Sequence, residues 1–276
     1  MAFIKLILTI LLFCILTLLT QIGGFVLLIA FLTYGIIDRK ISSRFINPIA
    51  KVISYAVIYL IVALLVVPLL AKPLGRVPLP IWSNPHLKPA HVWTALLNRN
   101  YVKPQLKDIA SKVSESMSAQ YTDITVNYLD ANFPFIDNFP LFPHRSHSDG
   151  KKLDISFQYN NRDTGKPTND VPSIIGYGVC EEPKDKEENI AAYCEEHGHW
   201  QYSLLQKIVP QCNKQKFVLD EERTKDLVNG FASQKGIGRI FIERHLKKRL
   251  RIRSFKVRFQ GCEAVRHDDH IHVQLK

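Results

Sequence analysis

Two long apolar runs dominate the first quarter of the chain and limit what it can become. Residues 6–37 are almost unbroken apolar sequence, and so are residues 52–71. Each reaches the roughly 20 residues that a helix needs to cross a bilayer. A cleaved signal peptide does not fit. The first run is too long for an h-region, no A-x-A-like site follows it, and a second run comes after it. Residues 1–71 therefore read as a membrane anchor with two transmembrane helices. Gln21, Gly23 and Gly24 interrupt the first run, which reads as one long tilted helix or, as the second choice, a tight hairpin.

The short loop between the runs holds Arg39, Lys40, Arg44 and Lys51, while the outer flanks hold Lys5, Lys72 and Arg76. The positive-inside rule places that loop in the cytoplasm and everything beyond residue 71 outside. The expectation is a multi-pass inner-membrane protein, in contact with membrane lipid, whose main domain faces the periplasm. Cysteine use agrees. Cys14 falls in the membrane, and Cys180, Cys194, Cys212 and Cys262 form an even set in an oxidising compartment. Of three possible connectivities, Cys180–Cys194 with Cys212–Cys262 is the expected one. No CxxC pair exists, which argues against a cysteine zinc site.

Residues 72–90 carry five prolines and read as a stiff, extended linker. Residues 91–276 are then the outer domain, long enough for a core of its own. Residues 106–120 have a helical period, with Leu106, Ile109, Ala110, Val113 and Met117 on one face. Residues 124–128 alternate as a strand, and residues 132–143 form a loop packed by its own phenylalanines. Residues 181–196 read as a charged, solvated excursion, and residues 201–208 as a short helix. Asp220 fits the N-cap of a helix running to about residue 234. Residues 237–242 and 255–259 are strand-like, with a helical turn between them. Strands and helices mix without strict alternation, so the class is α+β.

The last ten residues alternate polar and apolar from His270 onward. In a strand, His270, His272 and Gln274 share one face, and Ile271, Val273 and Leu275 share the other. Residues 153–159 alternate in the same way, so Asp154 also points away from the core. His147 precedes it, with Gly150 at the turn into the strand. His147, Asp154 and His272 are therefore candidate ligands of one Zn2+. Catalytic zinc sites use three such side chains and leave a position for water, whose pKa falls to about 7. His270 is placed to carry the proton. His267 and His144 are further candidates, for orienting substrate or steadying charge. Asp268 and Asp269 shape the turn or hold a histidine tautomer. His197 and His199 lie in the charged excursion and read as surface.

The pattern H-x-x-G-x-x-x-D followed by H-x-H resembles the LAS metallopeptidases. These include lysostaphin-type enzymes, D-Ala-D-Ala carboxypeptidases and the zinc domain of hedgehog proteins. HRSHSDGKKLDI with HDDHIHVQL looks most like the penicillin-insensitive murein endopeptidases. The likeness covers residues 140–155 and 266–275. It implies His147, Asp154 and His272 as zinc ligands, and His270 as catalytic base with His267 and His144 supporting it. It also implies a small antiparallel sheet with flanking helices and a zinc cleft. The substrate it implies is the peptide cross-links of peptidoglycan.

A non-catalytic zinc module that recognises a wall or protein ligand is the alternative, but a purely structural site would be closed by a fourth ligand. A histidine–aspartate phosphohydrolase would need its HD pair on helices, whereas an alternating strand follows His267-Asp268. The net charge of +11 does not imply nucleic acid. The basic run from Lys247 to Arg253 has no interleaved aromatics, and suits anionic glycan or headgroups instead.

Overall fold

The computed structural model describes residues 2–141 and 146–276. In chain order the helices and strands are α1 (Ala2–Thr20), α2 (Gly23–Lys40), α3 (Ile46–Ile61) and α4 (Val67–Ala71), the last two joined by a π-helical turn at Val62–Val66. Then follow β1 (Val77–Pro78), β2 (Leu87–Pro89), α5 (Val92–Leu96), β3 (Tyr101–Val102), α6 (Pro104–Gln120) and β4 (Val126–Tyr128). After the loop come β5 (Lys152–Ser156), β6 (Tyr159–Asn161), β7 (Pro167–Thr168), α7 (Ile190–Glu196), α8 (Leu204–Ile208) and β8 (Phe217–Leu219). The chain closes with α9 (Glu221–Ser233), β9 (Ile237–Phe241), α10 (Arg244–Arg249), β10 (Val257–Arg258) and β11 (His270–Leu275).

The helices Ala2–Thr20 and Ile46–Ala71 are long and apolar enough to cross a membrane. The first apolar run is not one helix but a hairpin. It breaks at Gln21, and α2 turns back so closely that a side chain at Gly23 or Gly24 would strike the backbone of Leu16 or Phe13. The rings of Phe13 and Phe25 meet edge to face at 5.4 Å.

Six strands form the main sheet in the order β10-β9-β11-β5-β4-β2. Its middle, β9-β11-β5-β4, is antiparallel, but both edge pairs are parallel. The expected small antiparallel sheet is therefore corrected to a mixed one. Parallel neighbours need a crossover, and α10 supplies it between β9 and β10, as α5 and α6 do between β2 and β4. The class is α+β, as expected.

Helices α6 and α9 cover one face. Leu106, Ile109, Val113 and Met117 of α6 and Leu227, Val228 and Phe231 of α9 bury against Leu153, Ile155, Ile240, Ile271 and Val273. Each such side chain contributes about 1.5–3 kcal/mol on burial. Asp220 caps α9 as expected, its Oδ1 accepting from Arg223 N at 2.8 Å.

Two further expectations are corrected. Residues 72–90 are no free spacer: Leu79 and Leu87 belong to the core, and β2 is an edge strand of the main sheet. Prolines survive there because an edge strand leaves one side of its backbone without a ladder partner. The excursion at residues 181–196 is anchored as well. It ends in α7, capped by Asn189, which buries Ile190 and Cys194. Cys194 bonds to Cys262, with Cα atoms 5.3 Å apart, while Cys180 and Cys212 are free thiols. The expected pairing is thus overturned: α7 brings Cys194 to the loop after β10, and Cys180 is buried elsewhere.

Candidate metal centre

The face of the sheet opposite α6 and α9 carries the polar residues of the alternating strands. Register does the rest. In the antiparallel β5–β11 ladder His272 stands opposite Asp154, and His270 opposite Ser156. Side chains directly opposed across such a ladder lie on one face within reach of each other. His147 arrives from the segment before β5. Gly150, at φ 76°, makes the turn between them. A side chain there would collide with the Arg76 guanidinium, so the turn needs glycine for both space and backbone.

His147, Asp154 and His272 converge and are buried. His147 Nε2 is 3.1 Å from His272 Nδ1 and 3.2 Å from Asp154 Oδ1. His272 Nδ1 is 2.9 Å from Asp154 Oδ1. Donor atoms bonded about 2.0–2.2 Å from one ion stand about 3.3–3.6 Å apart in a tetrahedron. The observed triangle is only slightly tighter, so the three atoms fit a shared metal ion. His147 Nδ1 donates to the Ala131 carbonyl at 2.7 Å, which fixes the tautomer and turns Nε2 toward the centre. Burial lowers the pKa of His272 to about 4, against the pull of Asp154. A neutral imidazole is the form that binds a metal.

The surrounding groups are equally ordered. Tyr177 Oη donates to Asp154 Oδ2 at 2.9 Å, leaving Oδ1 for the triangle. Burial, with the charges of Asp130 and Asp154, pushes the phenol well above its usual range, so it stays a donor. His270 Nδ1 lies 2.5 Å from Asp269 Oδ1, and Asp269 Oδ2 accepts from Gly178 N at 2.5 Å. His270 Nε2 is 3.8 Å from Asp154 Oδ1. Burial alone would lower His270, but Asp154 and Asp269 outweigh it and raise its pKa to about 9. A cation held by Asp154 Oδ1 would offset the Asp154 contribution. His267 is buried with its ring centre 5.0 Å from His270 and 5.7 Å from His272.

A cleft of about 500 Å³ opens over these groups. Gln201, Leu204 and Leu205 form one wall, and Gln260, Glu263 and Val265 the other. Cys194–Cys262 ties the two walled segments together.

Five of the six expected site residues, His147, Asp154, His267, His270 and His272, come together in this cleft. His144 lies outside the described residues. Asp269 holds a histidine nitrogen, one of the two roles expected of the Asp268–Asp269 pair, whereas Asp268 pairs with Arg266 instead. Tyr177 was missed. Its one sequence signal is the pair of glycines, Gly176 and Gly178, that flank it. The cleft walls carried no signal, being set by tertiary contacts.

A scan against protein-family models finds no match to this chain, and a search of curated proteins finds none either.

Proposed function

We propose that this chain is a membrane-anchored zinc metallopeptidase that hydrolyses peptide cross-links of peptidoglycan on the outer side of an inner membrane. The observation that carries the reading is the buried triangle of His147 Nε2, Asp154 Oδ1 and His272 Nδ1, with sides of 2.9–3.2 Å, on the floor of an open cleft. The resemblance of the motifs to murein endopeptidases supplies the substrate class.

His147, Asp154 and His272 would hold the zinc ion. When bound, zinc supplies Lewis acidity and brings the pKa of a water to about 7. His270 takes the proton released during attack on the amide carbonyl and returns it to the leaving amine. Asp269 keeps the His270 ring oriented through Nδ1, so Nε2 is the nitrogen that exchanges protons. His267 lies beside both imidazoles and steadies the developing negative charge. Leu204 and Leu205 on one wall and Val265 on the other exclude water from the two sides of the bound peptide.

The membrane arrangement supports an outward-facing domain. The elbow at Gln21 and the end of α4 both lie against the domain. Hence α1 arrives at the domain's side and α2 departs from it, and the basic loop after α2 lies on the other. Digestion of purified muropeptides by the full chain, with and without zinc, tests the proposal. Cleavage that needs zinc and vanishes in His270→Ala is expected. Cleavage indifferent to chelation would refute it.

A further inference from the structure

The elbow between α1 and α2 is held by a glutamine, not by the glycines that follow it. Gln21 has φ 68°, a left-handed backbone that residues with side chains seldom adopt. Gly23 and Gly24 stand two and three positions on. The Gln21 side chain accounts for the choice. Its Oε1 accepts from Phe135 N at 2.8 Å and from Ile136 N at 3.4 Å, and its Nε2 donates to the Ile136 carbonyl at 3.4 Å. Gln21 is buried, where an unmet amide is costly.

The segment that Gln21 grips leads to the metal centre. Two residues further, Asn138 N donates to the Ser148 carbonyl at 2.9 Å. Arg76, fully buried, reaches the same place. It donates to the Phe133 carbonyl at 2.5 Å, pairs with Asp137, and lies 3.4 Å from the Ser148 carbonyl. Ser148 directly follows His147. An unbroken set of contacts thus joins the helical hairpin to the first of the three metal-site residues.

We propose that Gln21 is a positioning residue for the metal centre. It fixes segment 135–138, that segment fixes Ser148, and Ser148 sets His147. The helical hairpin thereby sets the affinity of the site for its divalent cation. This rests on the metal-centre reading above. By linkage the coupling is reciprocal: cation binding must also tighten the grip of Gln21 on Phe135 and Ile136.

The test uses the purified full chain in detergent, with zinc alone as probe and competition against a chromogenic chelator as readout. Gln21→Ala is expected to weaken zinc binding tenfold or more. Gln21→Glu keeps the acceptor for the Phe135 and Ile136 amides but loses the donor to the Ile136 carbonyl, and is expected to restore part of it. Asn98→Gly removes another contact of the elbow, Asn98 Nδ2 to the Thr20 carbonyl at 3.1 Å, and tolerates the positive φ of that position; it is expected to bind nearly as wild type. Wild-type affinity in Gln21→Ala, no rescue by Gln21→Glu, or an equal loss in Asn98→Gly would each overturn the proposal. If Gln21→Ala does not fold, amide exchange in the wild-type chain decides: zinc must slow exchange at Phe135 and Ile136, and unchanged exchange overturns it. A wild-type chain that binds no zinc overturns the metal-centre reading itself, and this inference with it.

Discussion

His272 and Asp154 face each other across the β5–β11 ladder, with Nδ1 2.9 Å from Oδ1, although 118 residues separate them in the chain. Two adjacent backbones hold that pair in place, so it needs no flexible loop to form. Only His147 comes from outside the two strands. The consequence is a site whose two strand-borne members are preorganised, with the third supplied by a turn at Gly150.

Removing one member of the triangle should abolish tight zinc binding without unfolding the domain. For His272→Ala we expect zinc content after dialysis to fall below a tenth of wild type, with far-UV circular dichroism preserved. Wild-type protein should melt at a lower temperature when stripped with chelator. A ligand present at 100 times its Kd stabilises by about 2.7 kcal/mol. Atomic emission on dialysed samples and paired thermal melts check both statements.

Tyr177→Phe tests the support behind Asp154. The variant keeps the ring and loses only the donor to Oδ2. Losses of about 10–100-fold in metal affinity or activity are typical for such partners, and about tenfold in zinc affinity is expected here. An unchanged affinity would mean that the tyrosine merely fills space.

His270→Ala should separate binding from turnover. Zinc content is expected to stay near wild type, while kcat on muropeptides falls about 10²–10⁴-fold, the usual range for a lost general acid–base group. A variant that cleaves at the wild-type rate would remove His270 from the chemistry.

Glu243 gives a pH dependence of known sign. Burial, aided by the charge of Asp268, pushes its carboxyl up to about 7. Between the ordinary glutamate value, about 4.3, and 7, the folded protein holds a proton that the unfolded chain has released. Stability from this group is therefore greatest at low pH and falls as pH rises through that window. Glu243→Gln should flatten the dependence. Denaturant midpoints at pH 5 and pH 7.5 for both proteins measure the difference, and identical slopes would contradict the assignment.

The single disulfide makes a countable prediction. Denatured, unreduced protein should show three reactive thiols, Cys14, Cys180 and Cys212. Opening Cys194–Cys262 by double serine substitution should cost about 2–5 kcal/mol and loosen the cleft walls, raising KM more than it lowers kcat. One reactive thiol instead of three would restore the alternative pairing.

Much of the centre was legible because it lies on strands. Alternation over residues 153–159 and 270–275 places Asp154, His270 and His272 on outward faces, since a period of two leaves little choice. Helices α6 and α9 were legible for the same reason, through period and the Asp220 cap. What failed to show depends on distant partners. Leu79 and Leu87 sit among prolines, and only a neighbouring β4 makes β2 a strand. Cys194 could not announce Cys262, because the fold, not the spacing, brings α7 to that loop. Tyr177 lies in a segment without period, so nothing marked its hydroxyl as the partner of Asp154.

The strand β11 is synthesised after both β5 and β9 and yet lies between them in the sheet. Until residues 270–275 have left the ribosome, β5 and β9 have no strand between them to pair with. Long-range pairing of this kind is slow. The triangle is accordingly incomplete through biogenesis: a nascent or stalled product carries His147 and Asp154 but lacks His272.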